Sequence, residues 1–337
     1  MDRQTTVDES EVSALVERLE SLRSEIGKVI IGQDQTVEQL LVGLLAGGHC
    51  LLEGVPGLAK TLMIRSLAVA TELSFKRIQF TPDLMPSDIV GTEILEEDHG
   101  TGRRAFRFNR GPIFANLVLA DEINRSPPKT QAALLEAMQE LEVTYGGETY
   151  LLDRPFFVLA TQNPIEQMGT YPLPEAQLDR FLLQLRIDYP SFEEEKAILA
   201  ATTSTRRPEI EAVIGADHIL QAQQLTREVH ISEDLVDFVT RLVRASRPDN
   251  TAVDLVQGFV EWGAGPRAGQ ALILAAKAHA LLHRRFAVTL ESLQLMAQPV
   301  FRHRILVNFK GQAEGLTAEQ VTARLLESVS PPSSALG

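Results

Sequence analysis

An apolar stretch at 49–52, the run Gly54-Val55-Pro56-Gly57-Leu58-Ala59-Lys60-Thr61, and helical periodicity over 62–73 follow one another directly. A buried strand that feeds a glycine-rich turn and then a helix is a unit of few folds, and this unit narrows the choice more than any other part of the chain. Such a strand needs partners. Further apolar runs at 75–80, 117–120 and 155–161 supply them, with helical spacing at 129–141 between two of them. Short apolar strands alternating with helices imply an α/β fold whose mainly parallel sheet is covered on both faces. Two helices are expected before the loop. Val12, Leu15, Val16, Leu19, Leu22 and Ile26 keep helical spacing, and a second helix at 35–46 stops at Gly47-Gly48. Past Tyr189-Pro190 only helical periodicity is found, at 193–202, 216–228, 232–245, 267–282 and 289–307. The expected organisation is therefore an α/β core at 1–189, a smaller all-α domain at 190–328 and a flexible tail at 329–337.

The loop predicts phosphate chemistry. Gly54 and Gly57 are expected to let the backbone turn so that N–H groups face phosphate oxygens. Lys60 would reach the β- and γ-phosphates, the Thr61 hydroxyl would ligate Mg²⁺, and the helix beginning near Leu62 would add its positive dipole end. The common form of this loop has Gly before the Lys, where Ala59 stands here. On the loop alone, an incidental strand-to-helix turn stays open. Sixty residues on, Leu117-Val118-Leu119-Ala120-Asp121-Glu122 ends an apolar strand in two carboxylates. A buried strand delivers its last residues to the carboxyl edge of the sheet, where open α/β folds bind ligands. There Asp121 would hold Mg²⁺ and Glu122 would polarise the attacking water. Asn163, just past the strand at 155–161, could bond the γ-phosphate or that water. Arg180, after a short helix, offers a bidentate phosphate contact. Together these residues predict a Mg²⁺-dependent ATPase, with a surface Asn-Pro turn and an Asp–Arg pair as the plainer readings of the last two.

Composition excludes several other classes. A net charge of −13 argues against nucleic acid as the main partner. No apolar run approaches the length of a membrane span, the first ten residues lack a signal-peptide pattern, and the single Cys50 rules out an internal disulfide. These features predict a cytoplasmic protein with no membrane insertion.

The stretch Ala120-Asp121-Glu122-Ile123-Asn124-Arg125-Ser126-Pro127-Pro128-Lys129-Thr130-Gln131, continuing to Glu140, resembles the signature of the MoxR family of AAA+ ATPases. Gly54 to Thr61 is similar to that family's loop, including Ala59. Supporting pieces are Ile31-Gly32-Gln33, Ala160-Thr161-Gln162-Asn163-Pro164, Leu178-Asp179-Arg180-Phe181 and Gly265-Pro266-Arg267-Ala268. The resemblance implies an AAA+ P-loop core with a helical lid. It makes Asn163 the first sensor, Arg180 an arginine finger inserted into a neighbouring subunit's site, and Arg267 the second sensor. Ile31 and Gly32 would border the adenine, with 54–62 around the phosphates. Whether Arg267 serves its own or the adjacent subunit stays open, as does whether Arg125 points across the interface.

The resemblance also implies an insertion at 89–108 with Gly100-Thr101-Gly102 at its tip, and a hairpin at 143–152 turning at Gly146-Gly147. It implies a homo-oligomeric ring, hexameric, that remodels or matures a client protein or inserts a metal cofactor, sometimes with a partner carrying a von Willebrand factor A domain. A nucleotide-dependent regulatory switch, a DNA-remodelling motor and a magnesium-chelatase-type subunit are the alternatives. Among residues outside these motifs, His279 and His283 are an i, i+4 pair with no carboxylate between them, and Arg302-His303-Arg304 reads as a solvated face. Trp262 is expected to pack in the lid, and Glu193-Glu194-Glu195 to begin a helix.

Overall fold

The computed structural model describes residues 9–55, 57–97, 104–163, 169–204 and 208–332. Pro56, Pro164, the expected tip Gly100-Thr101-Gly102 and most of the expected tail lie outside them. Helices α1 (Glu9–Gly27) and α2 (Asp34–Leu45) precede β1 (Cys50–Gly54), and α3 (Lys60–Ala70) follows the loop. Next come β2 (Phe75–Gln79), α4 (Pro86–Val90), β3 (Gly91–Glu97), β4 (Arg104–Arg110) and β5 (Leu117–Asp121). Then follow α5 (Pro128–Glu140), β6 (Glu142–Tyr145), β7 (Glu148–Leu151), β8 (Phe157–Gln162), α6 (Glu175–Leu178) and β9 (Leu183–Ile187). The second half runs α7 (Phe192–Thr202), α8 (Ala216–Glu228), α9 (Glu233–Ala245), α10 (Asp254–Phe259), β10 (Val260–Trp262) and α11 (Pro266–Leu282). It ends with α12 (Leu290–Phe301), β11 (Leu306–Val307), α13 (Phe309–Ala313) and α14 (Ala318–Ser328).

Five strands form one parallel sheet in the order β2-β5-β8-β1-β9. Its central strands are apolar on both faces because both faces are covered. Cys50, Leu52, Leu117, Leu119, Phe157 and Leu159 point to one side, into a core that also holds Leu19, Leu22 and Ile26 of α1, most of α2 and the inner faces of α8, α9, α11 and α12. Leu51, Val118, Ala120, Val158 and Ala160 point to the other side, against Leu134, Leu135 and Met138 of α5. Each fully buried Leu or Ile of this kind contributes on the order of 2 kcal/mol. The first core runs without a break from the sheet into the helical half, so the lid helices close one face of the α/β layer.

Among the described residues, two antiparallel hairpins leave the sheet. β3–β4 occupies the expected insertion, and β6–β7 turns at Gly146 and Gly147, whose φ of +62° and +88° suit the tight turn that matches strand twist.

Several expectations need correction. β9 was not foreseen, although Leu183, Leu185 and Ile187 alternate as an edge strand should. The single helix expected at 289–307 ends at Phe301. Arg304 turns inward there, and its guanidinium donates to the Val300, Phe181 and Leu182 carbonyls and to Asp179 Oδ1. The chain then forms β11, which pairs with β10 in a small ribbon within the otherwise helical half. Residues 302–304 are thus a seam and not a solvated face. Arg302 pairs with Glu319 at 2.7 Å, the His303 ring meets the Phe181 carbonyl, and Arg304 is 8% exposed. Trp262 is 70% exposed instead of packed. Helix α14 also went unforeseen, though Thr317 and Gln320 close a capping box at its start.

Candidate functional site

The loop leaves β1 at the carboxyl edge of the sheet and enters α3 at Lys60. Among its described residues, two carry positive φ, Gly57 at +89° and Ala59 at +56°. Gly54 does not, so the turn rests on Gly57, and Gly54 is needed for another reason. A Cβ there would meet the backbone oxygen of Ile187 at 3.0 Å and its Cβ at 3.2 Å, because β9 runs alongside. Val55, Gly57, Leu58 and Ala59 form the loop, and Lys60, Thr61 and Leu62 occupy the first turn of α3, with Leu62 exposed.

Asp121 ends β5, one strand removed from β1 across β8, and Glu122 follows with a left-handed φ of +57°. Both carboxylates are held. Asp121 Oδ2 accepts from Arg77 Nη2 at 2.6 Å, and its Oδ1 accepts from the Thr161 hydroxyl at 2.6 Å. The same hydroxyl accepts from the Glu122 N–H at 2.9 Å. Glu122 Oε2 accepts from the Gln79 amide and from Arg125 Nη1, each at 2.9 Å. Arg125 therefore bonds a carboxylate of its own chain. Burial pulls the Lys60 ammonium below its ordinary pKa, and the charges of Asp121 and Glu122 oppose that pull, which places the cation and both acids within one electrostatic neighbourhood. The Lys60 ammonium donates to the Gly54 carbonyl.

Asn163 lies just past β8, between β5 and β1, and is buried. Ile31 and Gly32 lie at the same sheet edge. Gln33, at the start of α2, donates to the Asp188 carbonyl at 2.9 Å, and Thr36 donates to the Arg186 carbonyl at 3.3 Å. Those carbonyls flank Ile187, which is in register with Gly54. Ile31, Gly32 and the phosphate loop are thereby tied to one strand end.

Arg180 and Arg267 sit elsewhere. Both line a cavity of about 230 Å³ with Asp179 and Arg304, and none of residues 54–62 lines it. Asp179 accepts from Arg304 at 2.7 Å and pairs with Arg267 at 3.5 Å, while Arg180 Nη1 donates to the Leu135 carbonyl at 2.7 Å. The sequence reading missed Arg77, Gln79 and the Thr161 hydroxyl. Only their register across β2, β5 and β8 brings them to the carboxylates.

A family described as "ATPase family associated with various cellular activities (AAA)" matches residues 49–183, and one described as "AAA lid domain" matches 254–325. Chaperone MoxR1 of Mycobacterium tuberculosis is 44% identical, over 95% of this chain and 84% of its own length. The chain belongs to the MoxR family of AAA+ ATPases. Protein MoxR of Paracoccus denitrificans is 30% identical over 89% of this chain and 92% of its own. A crystal structure from Cytophaga hutchinsonii, assigned as an ATPase, superposes with a TM-score of 0.89 at 41% identity, covering 96% of this chain and 97% of that one. Nucleotide binding and ATPase activity follow from membership in the MoxR family, and the fold is its α/β core with a helical lid. Among the described residues, no helix is long and apolar enough to cross a membrane.

Proposed function

We propose that this MoxR-family ATPase couples Mg²⁺-dependent ATP hydrolysis, in a homo-oligomeric ring, to remodelling or maturation of a client protein, metal-cofactor insertion included. The observation that carries the reading is the pair Asp121 and Glu122, held at the carboxyl edge beside Lys60 by Thr161, Gln79 and Arg125. Residues 54–62 would cradle the phosphates, and Ile31 and Gly32 would border the base. Thr61 and Asp121 offer hydroxyl and carboxylate oxygens, the hard donors that Mg²⁺ takes. When bound, Mg²⁺ supplies charge neutralisation at the β- and γ-phosphate oxygens.

In this reading Glu122 orients the attacking water and takes up its proton. Gln79 and Arg125 occupy Oε2, so Oε1 is the oxygen for that task. Asn163 fixes the water or the γ-phosphate from the β8 side. Arg180 and Arg267 line a cavity away from their own phosphate loop, which favours action on the neighbouring subunit's nucleotide for both. A ring of six, the core at 1–189, the lid at 190–328, the tail at 329–337, a cytoplasmic setting and a partner with a von Willebrand factor A domain belong to the same proposal.

Glu122→Gln tests the hydrolytic core of this reading. It should leave ATP affinity near that of the native protein and lower steady-state phosphate release by about 10²- to 10⁴-fold, the range for a lost general base. Turnover near the native rate in that variant would refute the base assignment. A native protein that binds ATP and releases almost no phosphate would instead favour a nucleotide-dependent switch. Pull-down with the Glu122→Gln variant in the presence of ATP, read by mass spectrometry, identifies the client.

A further inference from the structure

Far along the lid helix from Arg267, α11 presents two imidazoles to the α/β core. His279 and His283 are four residues apart and share one helix face, with ring centroids 4.5 Å apart. Sequence spacing offered them no third partner. The fold supplies one from α2: Glu38 Oε1 lies 3.1 Å from His279 Nε2 and 2.9 Å from His283 Nε2. The three ligand atoms all lie within 4.8 Å of one another. His279 is 4% exposed, and the side chains of Glu38 and His283 are 18% and 35% exposed.

We propose that Glu38, His279 and His283 form a binding site for a divalent transition-metal ion, zinc by preference, which clamps lid helix α11 to helix α2.

Three features suit this hydrogen-bonded cluster to an ion. The first is donor chemistry. Two imidazole nitrogens and a carboxylate oxygen are a set that zinc accepts, with a fourth position left for water. The second is spacing. Zinc–nitrogen and zinc–oxygen bonds of about 2.0–2.2 Å place neighbouring tetrahedral ligands roughly 3.3 Å apart. The two N···O separations are within a few tenths of an ångström of that and all three ligand atoms lie within 4.8 Å, so a small outward movement of Glu38 or His283 would admit the ion. The third is the surrounding shell. His279 Nδ1 lies 3.1 Å from Ser292 Oγ in the first turn of α12, and that hydroxyl is itself 3.1 Å from Thr289 Oγ1. Without an ion, an Nε2 proton bridges His279 to Glu38; on binding, the Nδ1 proton would go to Ser292 Oγ and leave the Nε2 lone pair for the ion, the orientation a ligating histidine usually takes. Arg23 of α1 holds the other carboxylate oxygen, Oε2, at 3.1 Å and fixes Oε1 toward the imidazoles. Arg23 is half exposed, so water moderates its repulsion of the ion. Arg284, just past α11, is engaged by Glu20 at 2.7 Å.

The four residues come from α1, α2 and α11, with Ser292 from α12, so a bound ion would fasten the joint between lid and core. This site is independent of the nucleotide reading above and would exist in a chain that never hydrolysed ATP.

The test uses the full-length protein, stripped with a chelator and kept free of nucleotide and Mg²⁺. Zn²⁺ is titrated by calorimetry and Co²⁺ by its visible absorption. One ion per chain should bind, with the intense Co²⁺ bands of a four-coordinate site and a rise in thermal midpoint that chelator reverses. His283→Gln, at the half-exposed ligand, should keep the fold and weaken Zn²⁺ binding by at least tenfold to a hundredfold, since even an outer-shell loss costs that much. Glu38→Gln should do the same. No saturable binding to the native protein would overturn the proposal, as would affinity unchanged in both variants. Either result would leave a hydrogen-bonded His–Glu cluster only.

Discussion

Thr161 carries more of the site than its chemistry suggests. One buried hydroxyl donates to Asp121 at 2.6 Å and accepts from the Glu122 N–H at 2.9 Å, and so joins the proposed metal ligand to the backbone of the proposed base. Glu122 stands in the left-handed region, which costs a non-glycine residue roughly 1–2 kcal/mol. That conformation holds only while its surroundings fix it. Thr161→Val keeps the shape, removes both hydrogen bonds and leaves the Glu122 N–H without a partner, a loss of about 1–3 kcal/mol. It should lower the thermal midpoint and reduce turnover by roughly tenfold to a hundredfold through misplacement of the carboxylates. Thr161→Ser should restore most of both. Native turnover in the Val variant would show that Gln79 and Arg125 suffice to position Glu122.

At the scale of elements, the edge strand β9 decides much of the loop's geometry. Gly54 pairs with Ile187, and the two residues flanking Ile187 hold the start of α2 through Gln33 and Thr36. Gly54→Ala would push a Cβ onto backbone, which cannot swing aside as a long side chain can. We expect a loss of about 1–3 kcal/mol, typical of overpacking, together with weaker ATP binding. Calorimetric melting and nucleotide titration check it, and no change in either would mean that β9 yields freely. The strand that makes Gly54 necessary was also the strand of the main sheet hardest to read. β1, β5 and β8 stand out as continuous apolar runs because both their faces are covered, whereas β9 shows only a five-residue alternation after a polar motif. The phosphate loop and the Asp121-Glu122 pair are local in sequence and were legible there. Arg77, Gln79 and Glu38 act through strand register or helix crossing, which no local spacing records. Arg304 was misread for a related reason, since a charged triplet looks solvated until the carbonyls of Val300, Phe181 and Leu182 close around one guanidinium.

For the whole molecule, the buried histidines set a limit on acid tolerance. His49 bridges layers, with Nδ1 accepting from the Val158 N–H at 3.0 Å and Nε2 donating to the Met138 carbonyl at 3.1 Å. Burial lowers its pKa from 6.5 to about 4, and burial together with the Arg304 charge lowers that of His303 in the same direction. A folded-state pKa depressed below the unfolded value gives stability that is complete above about pH 6.5 and lost as the pH falls toward 4. For His49 that interval corresponds to roughly 3 kcal/mol. Melting curves between pH 7 and 4.5 should show the loss, and His49→Leu should flatten it; an equal slope in that variant would place the acid sensitivity elsewhere. Assembly is the larger question at this scale. Arg180 and Arg267 share a cavity with Asp179 that no phosphate-loop residue lines, so a lone chain holds its loop and these cations in different places. If Arg180 completes a neighbour's site, Arg180→Ala should lose about 10³- to 10⁵-fold in turnover, the range known for an arginine supplied in trans. Lys60→Ala should be inactive through its own loop. A subunit carrying Lys60→Ala still presents an intact Arg180, and one carrying Arg180→Ala still presents an intact loop. Rings formed by co-refolding the two variants should therefore regain a fraction of native phosphate release that peaks near equal mixing. Mixed rings confirmed by native mass spectrometry, yet inactive at every ratio, would mean that Arg180 serves its own chain.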